Sequence, residues 1–220
     1  MLFKINDERL QDDEFIFKLA YSLFMIDSLE DSKLHFSKVK ERGGKYYSLS
    51  LYYYAHISYI QKLYQAALFD FKLLQEDKVF SSIVPYYITQ IYFFQKQYQY
   101  LVDYAEPILK TVIPSREAEI NRLIAESYYH LSNFDASEKY LKNYIQITQD
   151  ISMVDYFQLG QINVFLGDYA EAIEYLEKVE NVSDSLSQFS SYYLGRSYIE
   201  TGNKNFALAA FKKASDIDVD

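Results

Sequence analysis

The sequence predicts an all-α fold, a solenoid of six consecutive helix-turn-helix units. Three observations carry that prediction. A frame of small and large residues recurs about every 35 positions along nearly the whole chain. Within each copy the apolar residues fall at spacings of three and four, which keeps them on one helical face. Only three prolines and six glycines interrupt 220 residues, which favours long helices and short turns over a β-rich fold.

The two clearest copies are Tyr156 to Val179 and Tyr192 to Ala214. A shift of 35 aligns Leu159-Gly160 with Leu194-Gly195, Gly167 with Gly202, Ala172 with Ala207 and Leu176 with Phe211. The first-helix small residue recurs as Ala20, Ala55, Thr89, Ala125, Gly160 and Gly195, at spacings of 35, 34, 36, 35 and 35. The residue before it is always large: Leu19, Tyr54, Ile88, Ile124, Leu159, Leu194. The second helix has its own small residue at Ser32, Ala67, Ser137, Ala172 and Ala207, with Leu101 as the exception. Small residues let paired helices approach closely, and large neighbours fill the space beside them.

The units are expected at about 13–46, 48–81, 82–117, 118–152, 153–187 and 188–220, with residues 1–12 as an N-terminal segment or cap and the whole as one domain. Ser28, Asn133, Asp168 and Asn203 are placed to cap second helices, and Asp168 with Glu171 has the spacing of a capping box. Gly43-Gly44 reads as the turn between units one and two. Unit three departs from the frame. Leu101 and Ala105 stand where a small and a large residue are expected, and Pro107 comes late in the second helix. A kink or early end is expected there, Pro114 just ahead of unit four, and any change of curvature in unit three.

The ends carry apolar surface. Phe15 to Ile26 is apolar nearly all round, which implies cover on more than one side. In the last helix Ala207, Ala209, Ala210 and Ala214 look prepared to receive another helix. The expectation is a fragment of a longer repeat protein, or self-association through uncapped ends.

The large-Leu-Gly/Ala-x-x-Tyr pattern of the first helix and the Ala-x-x-x-Phe pattern of the second resemble the tetratricopeptide repeat (TPR), a helix-turn-helix unit of 34 residues. The resemblance implies a right-handed α-solenoid of six stacked repeats, in the style of bacterial multi-repeat proteins. It also implies a concave groove lined by the first helices. Carried over, that groove holds Phe17, Tyr21 and Phe24; Tyr52, His56 and Tyr59; Tyr86, Gln90 and Phe93; Arg122, Glu126 and Tyr129; Phe157 and Gln161; Tyr192 and Arg196. Some family members clamp a C-terminal carboxylate with Lys and Asn. Here Phe17, Tyr21, Tyr52 and His56 occupy those positions, so that clamp is absent.

Composition narrows the function. Hydrophobic residues make up 50% of the chain and aromatics 18%, which excludes a disordered chain. There are 24 tyrosines, and a phenol suits surfaces that are both packed and wet. The net charge of −9 argues against nucleic acid, whose binders neutralise phosphates. Without cysteine there is no disulfide, thiolate catalysis or Cys-ligated zinc. The apolar runs are too short to span a membrane, and the start does not read as a signal peptide.

No catalytic constellation, metal site or cofactor is expected. His35, His56 and His130 never fall within one helical turn of each other, and only His56 belongs to the groove. Asp216, Asp218 and Asp220 read as a solvated tail. Glu117, Glu119 and Glu126 are interleaved with Arg116 and Arg122, as surface ion pairs are. The expected function is a non-catalytic scaffold binding a partner peptide or helix in an aromatic groove. A structural spacer or oligomerisation module is the alternative, and a small-molecule or glycan sensor a third. The compartment stays open between a bacterial envelope (periplasm) and the cytoplasm.

Overall fold

A computed structural model describes residues 12–148, 151–179 and 185–217. Among them are twelve helices and no strand. They are α1 (Asp13–Met25), α2 (Leu29–Arg42), α3 (Tyr47–Ile60), α4 (Tyr64–Lys72), α5 (Val84–Phe94), α6 (Tyr98–Ile108), α7 (Pro114–His130), α8 (Phe134–Ile147), α9 (Met153–Leu166), α10 (Tyr169–Leu176), α11 (Ser185–Glu200) and α12 (Lys204–Asp216). By contacts the chain forms two compact units. The first holds α1 to α5 with residues 111–113, and the second holds α6 to α12. The division falls inside the third repeat, where the frame also departs from its pattern.

Every repeat reverses direction through one turn. The residue two places before each second helix lies in the left-handed region: Asp27, Lys62, Lys96, Ser132, Gly167 and Gly202, with φ between 55° and 85°. The next residue closes a six-residue ring, as in Ser28 N–H to the Leu23 carbonyl at 2.9 Å and Asn203 N–H to the Tyr198 carbonyl at 2.8 Å. This is the Schellman ending, which satisfies carbonyls the helix leaves orphaned.

The caps differ from the sequence expectation. Asn133 accepts from the Ala136 N–H at 3.2 Å, but Ser28, Asp168 and Asn203 make no such bond. The Ser28 hydroxyl instead donates to Asp31 at 3.1 Å, and the Asn203 amide to the Thr201 hydroxyl at 3.1 Å. Glu171 does not complete a capping box because Lys142 holds it at 2.7 Å. The capping box is instead at α9, where Ser152 and Asp155 serve each other's N–H groups. The helix α6 ends at Ile108, one residue past Pro107, and Pro114 opens α7, a position where its missing N–H costs nothing.

In the first unit a core of Ala20, Phe36 and Ile57 gathers Phe17, Phe24, Tyr53 and Tyr54 around it. The buried Ser32 hydroxyl donates to the Ala20 carbonyl at 2.8 Å, so the second helix is pinned to the first. Asp70, nearly fully buried, accepts from Lys40 at 3.0 Å and ties α4 to α2. In the second unit Ser137 donates to the Ala125 carbonyl at 2.8 Å in the same frame position. The core around Val164, Ala172 and Leu176 is closer set. A Cβ on Gly160 would fall inside the Leu176 side chain, and one on Gly195 would lie 2.6 Å from the Phe211 ring.

The open faces also differ from expectation. Among the described residues α1 buries only Ile16 and Ala20, and Met25 and Ile26 are exposed. In α12, Ala207 and Ala210 are already buried, as the short side chains of the frame require. The exposed apolar residues of α12 are Phe206, Leu208 and Ala209, and Ala214 is half-buried. Residues 1–11, Asp218 and Asp220 lie outside the described residues.

Candidate functional site

The proposed groove positions recur three before, one after and four after the small residue of each first helix. That spacing places them on one face of the helix. In the first unit this face is a layer of rings. Tyr52 stacks on Phe80 with centroids 4.5 Å apart, and its hydroxyl is 3.4 Å from that of Tyr87. His56 lies between Phe24 (5.8 Å), Tyr52 (5.9 Å), Tyr59 (6.4 Å) and Tyr87 (5.2 Å). Burial among these rings pushes its imidazole below the usual pKa. Tyr59 donates to Gln90 Oε1 at 2.6 Å, and Gln90 Nε2 donates to the Tyr86 hydroxyl at 2.8 Å. Phe93 is half-buried beside Phe94. Phe17 contacts Phe36 at 5.7 Å and Tyr46 at 5.2 Å, so its ring belongs to the core edge. Tyr21 is more open, 39% exposed.

The second unit repeats the ladder with different residues. Tyr129 donates to Gln161 Oε1 at 2.8 Å, and Gln161 Nε2 donates to the Tyr193 hydroxyl at 2.9 Å. In both units an aromatic four places after one small residue reaches the glutamine one place after the next. Arg122 donates to Glu126 at 3.2 Å on its own helix. Glu126, Tyr129, Phe157 and Gln161 come together around a recess of about 310 Å³. Tyr192 is 46% exposed and borders a second hollow of about 440 Å³ with Phe189 and Phe211. Arg196 is exposed and lines neither hollow.

Sequence reasoning missed the position two before the small residue. Tyr53 stacks on Phe36 at 5.2 Å and Tyr87 on Phe71 at 5.0 Å, each covering the second helix of the preceding repeat. Tyr193 packs on the core around Leu176. The signal was present as an aromatic in three of six copies. It also missed His130, which lines the recess and stacks on Tyr98 at 4.3 Å, and Gln158 and Leu186.

A further set of phenols joins successive repeats. Tyr128 donates to Glu106 at 2.6 Å and Tyr198 to Glu177 at 2.5 Å. Burial first, then these carboxylates, pushes the Tyr198 hydroxyl up to about 12, and Tyr128 moves the same way. Among the described residues no three His, Asp or Glu side chains gather as a metal site would require. Among them, too, no helix is long and apolar enough to cross a membrane.

Comparison with known proteins bears on this geometry. The sequence model of the tetratricopeptide repeat family matches residues 156–184. No curated protein matches the chain in sequence. Among solved structures, that of YrrB, titled a TPR protein with an unusual peptide-binding site, is 18% identical. The match covers 83% of this chain and 92% of that one, with a TM-score of 0.69. A MamA crystal structure is 15% identical over 77% of this chain and 90% of its own, with a TM-score of 0.63. MamA from Desulfovibrio magneticus RS-1 is 17% identical over 76% and 92%, with a TM-score of 0.62. Residues 156–184 match a tetratricopeptide repeat, and the repeat frame and the shared fold give this chain the all-α helical-repeat fold of tetratricopeptide-repeat proteins.

Proposed function

We propose that the protein is a non-catalytic interaction scaffold that binds a peptide or helix of a partner protein on the first-helix faces of its repeats. The observation that carries this reading is the repeated Tyr–Gln–Tyr ladder. It holds amides and phenols in fixed positions beside half-buried rings, in both units. Rigid aromatic side chains supply contact area at small entropic cost, and ordered polar groups fix register. The peptide-binding site named for YrrB, which shares the fold, supports the same reading.

The test is capture of partners from the source cell's lysate by three proteins of equal helical circular dichroism. These are the native chain, a Tyr52→Ala/Tyr86→Ala variant and a Tyr129→Ala/Phe157→Ala variant. A partner held by the native chain and lost by either variant supports the groove. Equal capture by all three refutes it.

A second reading has its own observation. Phe36, Phe71 and Leu176 are fully buried, but Phe211, in the same frame position, remains half-exposed beside Phe189 and Tyr192. Docking of a second copy at this face would bury it. Sedimentation velocity of the native chain and of Phe189→Glu distinguishes the two: a concentration-dependent dimer absent from the variant supports self-association, and a monomer in both excludes it.

A further inference from the structure

We propose that the recess of the second unit seats a paired aliphatic and basic side chain of the partner peptide, with the recess supplying acceptors and the peptide supplying donors. The proposal rests on the groove reading above and adds the chemistry of the occupant.

Val154, Phe157 and Leu186 line the recess and give it an apolar body. Its one charged group is the Glu126 carboxylate, an acceptor. Gln158 Oε1 is buried and has no hydrogen-bond partner among the described residues. Such an atom has lost its water without replacement, so it favours an occupant that brings an N–H. The Glu126 carboxylate meets one protein donor, Arg122, at 3.2 Å through a single oxygen. The Tyr129 hydroxyl spends its proton on Gln161, so it can meet an occupant only as an acceptor. Gln161 spends one oxygen lone pair on Tyr129 and one N–H on Tyr193, which fixes its amide in place.

An acidic peptide would set its carboxylate against Glu126 and the Gln158 oxygen. A purely aliphatic one would leave Gln158 buried and unpaired. A lysine or arginine beside an aliphatic side chain satisfies both demands, because its stem packs on the apolar wall while its head reaches the acceptors. The chain's net charge of −9 draws such a peptide from a distance.

The experiment pans a random dodecapeptide phage library against the full chain and measures the enriched peptides, made synthetically, by fluorescence anisotropy. The expected result is enrichment of aliphatic residues next to Lys or Arg. Glu126→Gln and Gln158→Leu each weaken those peptides about tenfold, the size of a lost charge-assisted bond. Gln158→Glu strengthens them. Thermal unfolding of each variant checks that the fold survives. Enriched peptides that are acidic, or that ignore the Glu126 and Gln158 substitutions, overturn the proposal. If they are instead lost with Tyr52→Ala/Tyr86→Ala, the groove reading stands without it. No enrichment at all overturns both.

Discussion

The two units solve one packing problem with different chemistry. Each must hold the first helix of a repeat against the second helix of the repeat before. In the first unit Tyr92, three places after its small residue, lies under Lys72 of the preceding helix, ammonium to ring centroid 5.4 Å. In the second unit Tyr128 and Tyr198 hold the same frame position, and carboxylates replace the lysine and accept a hydrogen bond from the phenol. The helix crossings differ as well. Ala20 and Ala55 mark them in the first unit. In the second unit Ala125 is followed by Gly160 and Gly195, and at the two glycines the partner side chain fills the space of a Cβ. The frame therefore dictates where repeats touch and how large the residue at the crossing can be. It leaves the kind of contact open.

The largest test of that contrast is at the crossing. Gly195→Val forces Phe211 out of its place and should cost about 3 kcal/mol, the upper end for overpacking a filled core. Ala20→Gly in the first unit should cost about 1 kcal/mol. Urea unfolding gives the totals, and amide hydrogen exchange shows whether the glycine variant loses protection in α9 to α12 alone. Equal loss in α1 to α4 would break the comparison.

Alkali should separate the units next. A phenol whose pKa is raised by folding adds stability that is complete below pH 10 and lost as pH rises through its folded value. For Tyr198 that window runs from 10 to about 12. In the second unit Tyr128, Tyr129, Tyr140, Tyr175 and Tyr198 all move upward, against Tyr53 in the first. Exchange protection between pH 10 and 12 should fall first in α6 to α12. Tyr128→Phe/Tyr198→Phe should make that fall shallower.

The smallest effect is at the turns. The left-handed position carries Asp27 and Lys62 in the first unit and Gly167 and Gly202 at the end of the second. Lys62→Gly should stabilise by up to about 1 kcal/mol, since the backbone strain it relieves slightly exceeds the entropy glycine adds to the unfolded chain. Gly167→Ala should destabilise by about the same amount. Matched melting curves sharpen the comparison, and a Lys62→Gly variant that melts lower would contradict it.

Much of this was legible in the sequence, for a physical reason. Helix pairs, turns and crossings depend on residue size and backbone freedom, which repeat in register. Ala20 to Gly195 and Gly167 to Gly202 therefore announced themselves. The contacts of Glu171 were not legible. Whether it serves its own helix N-terminus or Lys142 depends on which neighbour comes within reach, and spacing along one helix does not encode that. The candidate face could be read from the frame, but its bonds could not. Tyr59 and Gln90 lie on α3 and α5, and the bond between them joins residues 31 apart. Tyr53, Tyr87 and Tyr193 were passed over because a groove read from one helix face ignores the adjoining face, where repeats meet.

One regularity of the turns reaches beyond stability. Within a repeat the two helices are joined by a link of nearly constant length, residues 26–28, 61–63, 131–133 and 201–203, with 167–168 one shorter. Between repeats the link varies from residues 43–46 to 73–83, and the second helix shortens where the link grows. Repeat length therefore stays near 35 while its parts trade residues. A chain assembled in this way has interchangeable modules. Two copies cut at their left-handed residue and exchanged would rejoin in phase, so recombination at that point could lengthen, shorten or reshuffle the array wherever the newly paired helices match in size at their crossing, as Gly160 matches Leu176.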